Sequence, residues 1–401
     1  VREMIRNVYK ECKGVPKSNC LTKEQRLSLQ MDEFMNRRYE FRYNTQIGEV
    51  EYRERFSFQF YFHPIDKRAQ NSIMLDAQSE GIGVWDRDID RYLHSNRVPI
   101  YNPLEEFLFH LPHWDGKDRI HALANRVPCK NPHWELLFHR WFLNMVSHWR
   151  GVDKMHANNT SPILVGRQGT HKSTFCREMI PPALRAYYTD SIDFSHKRDA
   201  ELYLNRFALI NIDEFDQITL PQQGFLKHIL QKPVVNLRKP HGRSVLELQR
   251  YASFIGTSNQ KDLLTDPSGS RRFICIEVTG NIDTTQPIDY EQLYAQAMHE
   301  IHHGERYWFD SEDEQIMTEN NREFEQTPAM LQLFYQYFKT AQTKEEGEFL
   351  TPVEILNYLK KKSGMSLSDN KVYHFGRLLQ KCGIPSKHTY KGTVYQVIKL
   401  S

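Results

Sequence analysis

The sequence predicts an α/β protein built on a parallel sheet, and three observations carry that prediction. Between residues 161 and 277 short β-rich runs alternate with helical stretches. Parallel strands need such crossover helices, whereas antiparallel strands do not. One apolar run, 162–165, leads into a glycine-containing loop and then a helix, while a second, 207–212, ends in two adjacent acids. Ligands of open α/β sheets bind where strands end, so the loop and the acids belong to one edge.

In order, the core reads as strand 162–165, helix 172–179, strand 186–189, helix 199–205, strand 208–212, helix 222–230, strand 253–257 and strand 273–277. Helices 290–302 and 310–324 follow. Upstream, residues 1–98 read as mixed and mainly helical. Helices are expected at 23–37 and 85–93, with a short aromatic strand or helix at 56–62. Residues 99–158 read as a helical, collar-like segment whose aromatics (Phe138, Trp141, Phe142, Trp149) recur at helical spacing, as a core face does. The expected divisions are then 159–280 as the core, 281–340 as a helical lid, and 341–401 as a basic terminal module entered through a charged linker.

The 401 residues are enough for several domains, at 39% hydrophobic and 26% charged. No apolar run reaches the ~20 residues that cross a bilayer. The six cysteines (12, 20, 129, 176, 275, 382) form no C-x-x-C pair, and no His pair follows at zinc spacing. They read as reduced thiols of a cytoplasmic protein. The chain begins with Val1, which suggests a piece of a longer or processed one.

The loop is Gly166-Arg-Gln-Gly169-Thr170-His171-Lys172-Ser173-Thr174. It follows G-x-x-x-x-G-K-[ST], the phosphate-binding loop of P-loop NTPases. Gly166 and Gly169 let the backbone turn and aim N–H groups at phosphate oxygens, and the helix opening near Lys172 adds its dipole. Lys172 then contacts the terminal phosphates, and Ser173 ligates Mg²⁺. His171 stands where the pattern has its second glycine; His is among the residues that tolerate positive φ.

Asp213 and Glu214 close the second strand. Asp213 suits a water-mediated Mg²⁺ ligand and Glu214 the group that polarises attacking water. Strand 253–257 runs into Ser258-Asn259, where an amide can orient that water. Arg271 and Arg272 precede strand 273–277 and suit a guanidinium finger reaching a neighbouring subunit's nucleotide. Between the second and third strands, 234–248 reads as a β-hairpin. Its tip carries Arg238, Lys239, His241 and Arg243 and no acid, which suits a single-stranded DNA backbone.

The terminal module reads as helix 352–362, helix 367–382, and strands 387–390 and 393–398 turning at Lys391-Gly392. That is a winged-helix-like outline. From Leu350 onward nine Lys/Arg face two Asp/Glu, net +7. Lys371, Arg377 and Lys391 are its candidate contacts with duplex DNA.

Residues 166–175 (GRQGTHKSTF), the NIDEFD run, FIGTSNQKDLLTDPSGSRRF and the upstream YNPLEEFLFHLPHWDG together resemble the virulence-associated protein E (VirE) family, and through it the superfamily 3 helicases of mobile elements. The resemblance covers about 99–330. It implies an AAA+-like P-loop ATPase core working as a homo-oligomeric ring, expected to be a hexamer, often beside a primase-like domain. It makes Lys172 and Ser173 motif A, Asp213 and Glu214 motif B, Asn259 the sensor, and Arg271 or Arg272 the finger. The expected function is an ATP- and Mg²⁺-dependent DNA helicase or translocase acting on single- and double-stranded DNA. The alternative is a nucleotide-gated DNA-binding module with little hydrolysis.

Overall fold

The computed structural model describes residues 21–58, 60–151, 153, 155–237, 245–264, 267–326, 329–340, 347–364, 372–390 and 392–400. The chain forms two compact units, Val1–Gln260 with Ser268–Asn321, and Lys261–Pro267 with Arg322–Ser401.

The centre of the first unit is a five-stranded sheet of β5 (Ser161–Val165), β6 (Tyr188–Thr189), β7 (Leu209–Ile212), β10 (Ser253–Ser258) and β11 (Phe273–Glu277). Its order is β11-β5-β10-β7-β6, and every neighbouring pair is parallel. β5, β7 and β10 are buried along their whole length, so both faces are covered. The crossover from β5 is a helix, Lys172–Glu178, and helix Lys197–Arg206 leads into β7. A third helix, Leu220–Leu230, leads to an antiparallel hairpin of β8 (Val234–Leu237) and β9 (Leu246–Gln249).

Helix Trp134–Arg150 is the largest contributor to this core. Phe138, Trp141, Phe142 and Trp149 are fully buried, as their helical spacing predicts. Two indoles also fix the helix to the sheet. Trp141 donates to the Phe254 carbonyl at 3.1 Å and Trp149 to that of Ala208 at 3.3 Å. A buried indole N–H needs such a partner, so these bonds set where the helix lies as well as how deeply.

Residues 21–101 depart from the helical reading. Helices α1 (Lys23–Arg38), α2 (Lys67–Ser79) and α3 (Asp86–Leu93) share a core with a four-stranded sheet of order β3-β2-β1-β4. Its strands are β1 (Tyr39–Asn44), β2 (Glu49–Glu54), β3 (His63–Pro64) and β4 (Ile100–Tyr101). Among the described residues of 56–62 none is in a helix or strand, and Phe56 and Phe58 are 88% and 97% exposed. The alternating phenylalanines imitate a half-buried strand, but these two face solvent, while Phe62 is partly covered by the Arg42 guanidinium 3.9 Å from its ring centroid. Asn44 ties this region to the central sheet, donating to the Tyr187 hydroxyl at 2.7 Å.

The second unit runs helix Ala329–Tyr337, strand Phe338–Thr340, strand Glu348–Leu350, helix Pro352–Ser363, helix Val372–Lys381 and hairpin Ser386–Thr389/Gly392–Lys399. Phe334 and Phe338 share its core with Ile355, Leu359, Phe375 and Leu379. The module therefore starts before residue 341, and Glu348–Leu350, expected in a linker, pairs with the last strand.

Candidate functional site at the carboxyl edge of the sheet

Three parallel strands deliver the site. β5, β10 and β7 are adjacent, and parallel pairing puts the residues following each on one edge. Gly166 follows β5, Asp213 and Glu214 follow β7, and Asn259 follows β10. Asp213, Glu214 and Asn259 line a cleft of about 320 Å³ with Gln168, Gly169, Thr170, His171, Lys172, Ser173, Thr174 and Thr257.

The loop's backbone is held on both sides. Gly166 N–H donates to the Ser258 carbonyl at 3.0 Å, and Ile282 N–H donates to that of Thr170 at 3.1 Å. A Cβ at Gly166 would lie 3.0 Å from the Val278 carbonyl oxygen, so this position needs its glycine. Gly169 takes φ +83° and His171 φ +65°. His171 thus occupies the left-handed conformation that the second glycine of the pattern supplies, with its backbone intact as the cap of helix Lys172–Glu178.

Lys172 is 7% exposed. Its ammonium donates to the carbonyls of Gly166 and Arg167, both at 2.8 Å, and to Asn259 Oδ1 at 3.2 Å. Burial lowers its pKa, opposed by the nearby Asp213 carboxylate. The ammonium is therefore poised over the loop with no carboxylate bound directly to it. An anion entering the cleft would stabilise its charged form.

Asp213 accepts from Ser173 Oγ at 3.1 Å and from the Thr257 hydroxyl. Hydroxyl and carboxylate oxygens, exposed at the mouth of the cleft, are the hard donors that Mg²⁺ takes. Glu214 has φ +52°, a left-handed backbone at the turn after β7, and lines the same cleft as Asp213. Gln217 donates to its carboxylate at 2.8 Å. Ser258 bonds Asp216 at 2.7 Å, fixing the turn that carries the acids to the neighbouring strand. Thr257, Ser258 and Gln217 escaped the sequence reading. The adjacent hydroxyls before Asn259 were the available signal.

Arg271 and Arg272 are not brought to this cleft. They precede β11, whose first residue pairs with Ser161 and whose last pairs with Val165. Five residues of strand span roughly 16 Å, which puts both at the opposite edge of the sheet. Arg271 pairs there with Glu314 at 2.9 Å. The arms of the basic hairpin are paired as expected. Arg238, Lys239, His241 and Arg243 lie outside the described residues, as do Lys371 and Lys391. In the second unit Arg377 is exposed, its guanidinium 4.7 Å from the Tyr373 ring centroid.

The fold and this edge define a class: a mixed α/β protein with a parallel sheet and a polar cleft where its central strands end. Within that class the chain belongs to the virulence-associated protein E-like domain family, whose model matches residues 108–326. A second family model, a domain of unknown function from B. Theta (DUF3874), matches 327–397, a boundary close to that between the compact units. No curated protein matches. Among solved structures the chain is similar to the apo NrS-1 C-terminal region (305–718), at 11% identity and TM-score 0.47, covering 95% of this chain and 100% of that one. A further apo structure, the A form of the NrS-1 C-terminal region, aligns at 12% identity and TM-score 0.44, over 93% and 99% of the chains.

Among the described residues no helix is long and apolar enough to cross a membrane, and Cys129, Cys176, Cys275 and Cys382 are free thiols.

Proposed function

We propose that the chain is a P-loop ATPase of superfamily 3 type, with an AAA+-like core, that moves DNA in the replication of a mobile genetic element. The observation that carries this reading is the convergence of two hydrogen-bonded pairs, Lys172–Asn259 and Ser173–Asp213, in one cleft beside a glycine loop. A cap-and-turn role for these residues would not require three separate strands to deliver them to one cleft.

The backbone N–H groups of 166–174 and the start of the following helix receive the β- and γ-phosphates of ATP. Lys172 exchanges its carbonyl partners for phosphate oxygens and remains within reach of Asn259. Ser173 and Asp213 would hold Mg²⁺, which would supply positive charge to the phosphate oxygens. Glu214 takes the proton of the attacking water. The new oxygen–phosphorus bond forms as the γ-phosphorus leaves its bridging oxygen, giving ADP and phosphate. Arg271 and Arg272 sit too far from their own cleft to help. They serve the nucleotide of the next copy in a ring, for which a hexamer is the proposed closure.

DNA engagement rests on two basic features. The basic run Arg238, Lys239, His241 and Arg243, which joins the two paired arms in the sequence, is the proposed strand-moving element. The second unit follows helix–strand–strand–helix–helix–hairpin, a winged-helix-like order with one extra strand, and carries net +7 from Leu350. Its helix Val372–Lys381 buries Phe375 and Leu379 and presents Tyr373 and Arg377 outward, a face suited to duplex DNA.

A mixing experiment tests the shared site. Lys172→Ala and the double variant Arg271→Ala/Arg272→Ala are each expected to be inactive. Mixed, they regain part of the activity, because some interfaces then combine an intact loop with intact arginines. No recovery in assembled mixtures would remove the trans role.

A further inference from the structure

We infer that a cleft between α1 and α3, far along the chain from the nucleotide loop, is a separate contact for single-stranded nucleic acid. It encloses about 530 Å³, which falls within the range of ligand sites. Its distinctive wall is Trp85, 62% exposed where tryptophans are normally covered. Leu27, Met31 and Tyr92 supply apolar surface beside it. An exposed indole above an apolar floor is a platform on which any base can stack.

The charges complement a phosphate backbone. Lys23, Arg87, Arg91 and Arg97 line the cleft against only Glu24 and Asp88. Arg97 is committed to Asp32 and to Ser28 at 3.2 Å, so it shapes the wall. Arg91 reaches Asp88 only at 3.4 Å and keeps a side chain 75% exposed. Arg87 and Arg91 are four residues apart on α3, hence on one face and about 6 Å apart along the helix. That arrangement offers two successive cations to a strand whose base lies on Trp85.

The chain's own N-terminus is a poor occupant. Residues 1–20 carry five Lys/Arg against two Asp/Glu, the same sign as the cleft. An acidic or phosphate-bearing strand fits, and the unpaired base that stacking requires selects a single strand over a duplex.

The inference adds a contact to the proposed DNA motor but does not require hydrolysis. Its test uses the full chain without nucleotide, carrying Arg238→Ala, Lys239→Ala and Arg243→Ala so that the hairpin contributes little. Fluorescence anisotropy then follows a labelled oligothymidylate. Trp85→Ala is expected to weaken binding about tenfold, and Trp85→Phe to restore most of it. Arg87→Gln/Arg91→Gln should make the slope of log K against log salt shallower by about 1.4. ATP hydrolysis measured without DNA by Trp85→Ala in the otherwise unaltered chain should be unchanged, which separates this contact from the catalytic cleft. Unchanged affinity in Trp85→Ala and an unchanged slope in the double variant would overturn the inference. So would displacement of the oligonucleotide by thymidine monophosphate at equal concentration, since the cleft would then be a mononucleotide site. A Trp85→Leu chain that binds as well as Trp85→Phe would also overturn it, because stacking would not be the cause.

Discussion

His171 shows how much one residue's backbone decides. At φ +65° it holds a left-handed backbone, which costs a non-glycine residue about 1–2 kcal/mol. His171→Gly should therefore retain nucleotide binding within a few-fold and raise thermal stability slightly. His171→Val, β-branched and intolerant of that φ, should weaken ATP binding tenfold or more, measured by calorimetry. Equal affinities for Gly and Val would mean that the loop does not need this conformation. Glu214, at φ +52°, holds the same kind of strain beside the proposed chemistry. The lysine, the serine and both acids were legible in the sequence because their types and their strand-end positions follow from phosphate and metal chemistry. Thr257 and Gln217 were not, since a single hydroxyl or amide has no spacing that marks it. The Thr257–Asp213 bond exists only once β7 and β10 lie side by side, and the Gln217–Glu214 bond only once the chain turns at Glu214.

Among the elements, the hairpin's anchorage depends on Arg250, which is fully buried without a carboxylate partner. Its guanidinium donates to the carbonyls of Leu230 at 2.7 Å, Lys232 at 2.8 Å and Asn158 at 3.0 Å. Burial alone lowers its pKa to about 9, so it stays charged at neutral pH, at the negative end of helix Leu220–Leu230. It joins the end of β9, that helix and the approach to β5. Arg250→Met leaves several carbonyls unpaired and should cost about 3 kcal/mol or more, read from urea unfolding. A smaller loss than 1 kcal/mol would show that the carbonyls find other partners. His148, nearby, accepts from Asn158 N–H at 2.7 Å, and burial, with Arg250 adding to it, lowers its pKa to about 3. The unfolded chain protonates such a histidine near pH 6.5. Stability from this group is thus complete above that pH and is lost as pH falls toward about 3. The slope is about 1.4 kcal/mol per pH unit, or about 2 kcal/mol between pH 6.5 and 5. His148→Gln should flatten this part of the pH profile; an unchanged profile would mean that other groups govern acid sensitivity. Periodicity revealed the helices and parallel strands well, because both are set by local pattern. It failed at 56–62, where alternating aromatics face solvent, and at Glu348–Leu350, whose pairing partner lies more than forty residues away.

At the scale of the whole molecule, the boundaries were the least legible feature. The chain passes into the second unit at Lys261, returns at Ser268 and leaves again at Arg322. Composition cannot show such a double crossing, whereas the family match ending at residue 326 lies close to it. The proposed motor uses this organisation in a simple way. In that proposal the cleft at the strand ends is assigned to the nucleotide, the arginines at the far sheet edge to a neighbouring copy, and the basic features to DNA. Removing hairpin cations by Arg238→Ala/Lys239→Ala should weaken single-strand binding and reduce its salt slope by about 0.7 per cation. Binding that is insensitive to salt in the parent chain would contradict a phosphate-backbone contact.

The central claim is most directly tested by ATP hydrolysis in the purified chain with Mg²⁺, with and without single-stranded DNA, beside Lys172→Ala and Glu214→Gln. The account predicts hydrolysis stimulated by DNA, lost in both variants, with nucleotide binding kept in Glu214→Gln and weakened in Lys172→Ala. An assembled chain that binds ATP tightly but never hydrolyses it would contradict the motor and leave a nucleotide-gated DNA-binding module. Hydrolysis that survives Lys172→Ala unchanged would show that the cleft at the sheet's carboxyl edge is not the site of the chemistry.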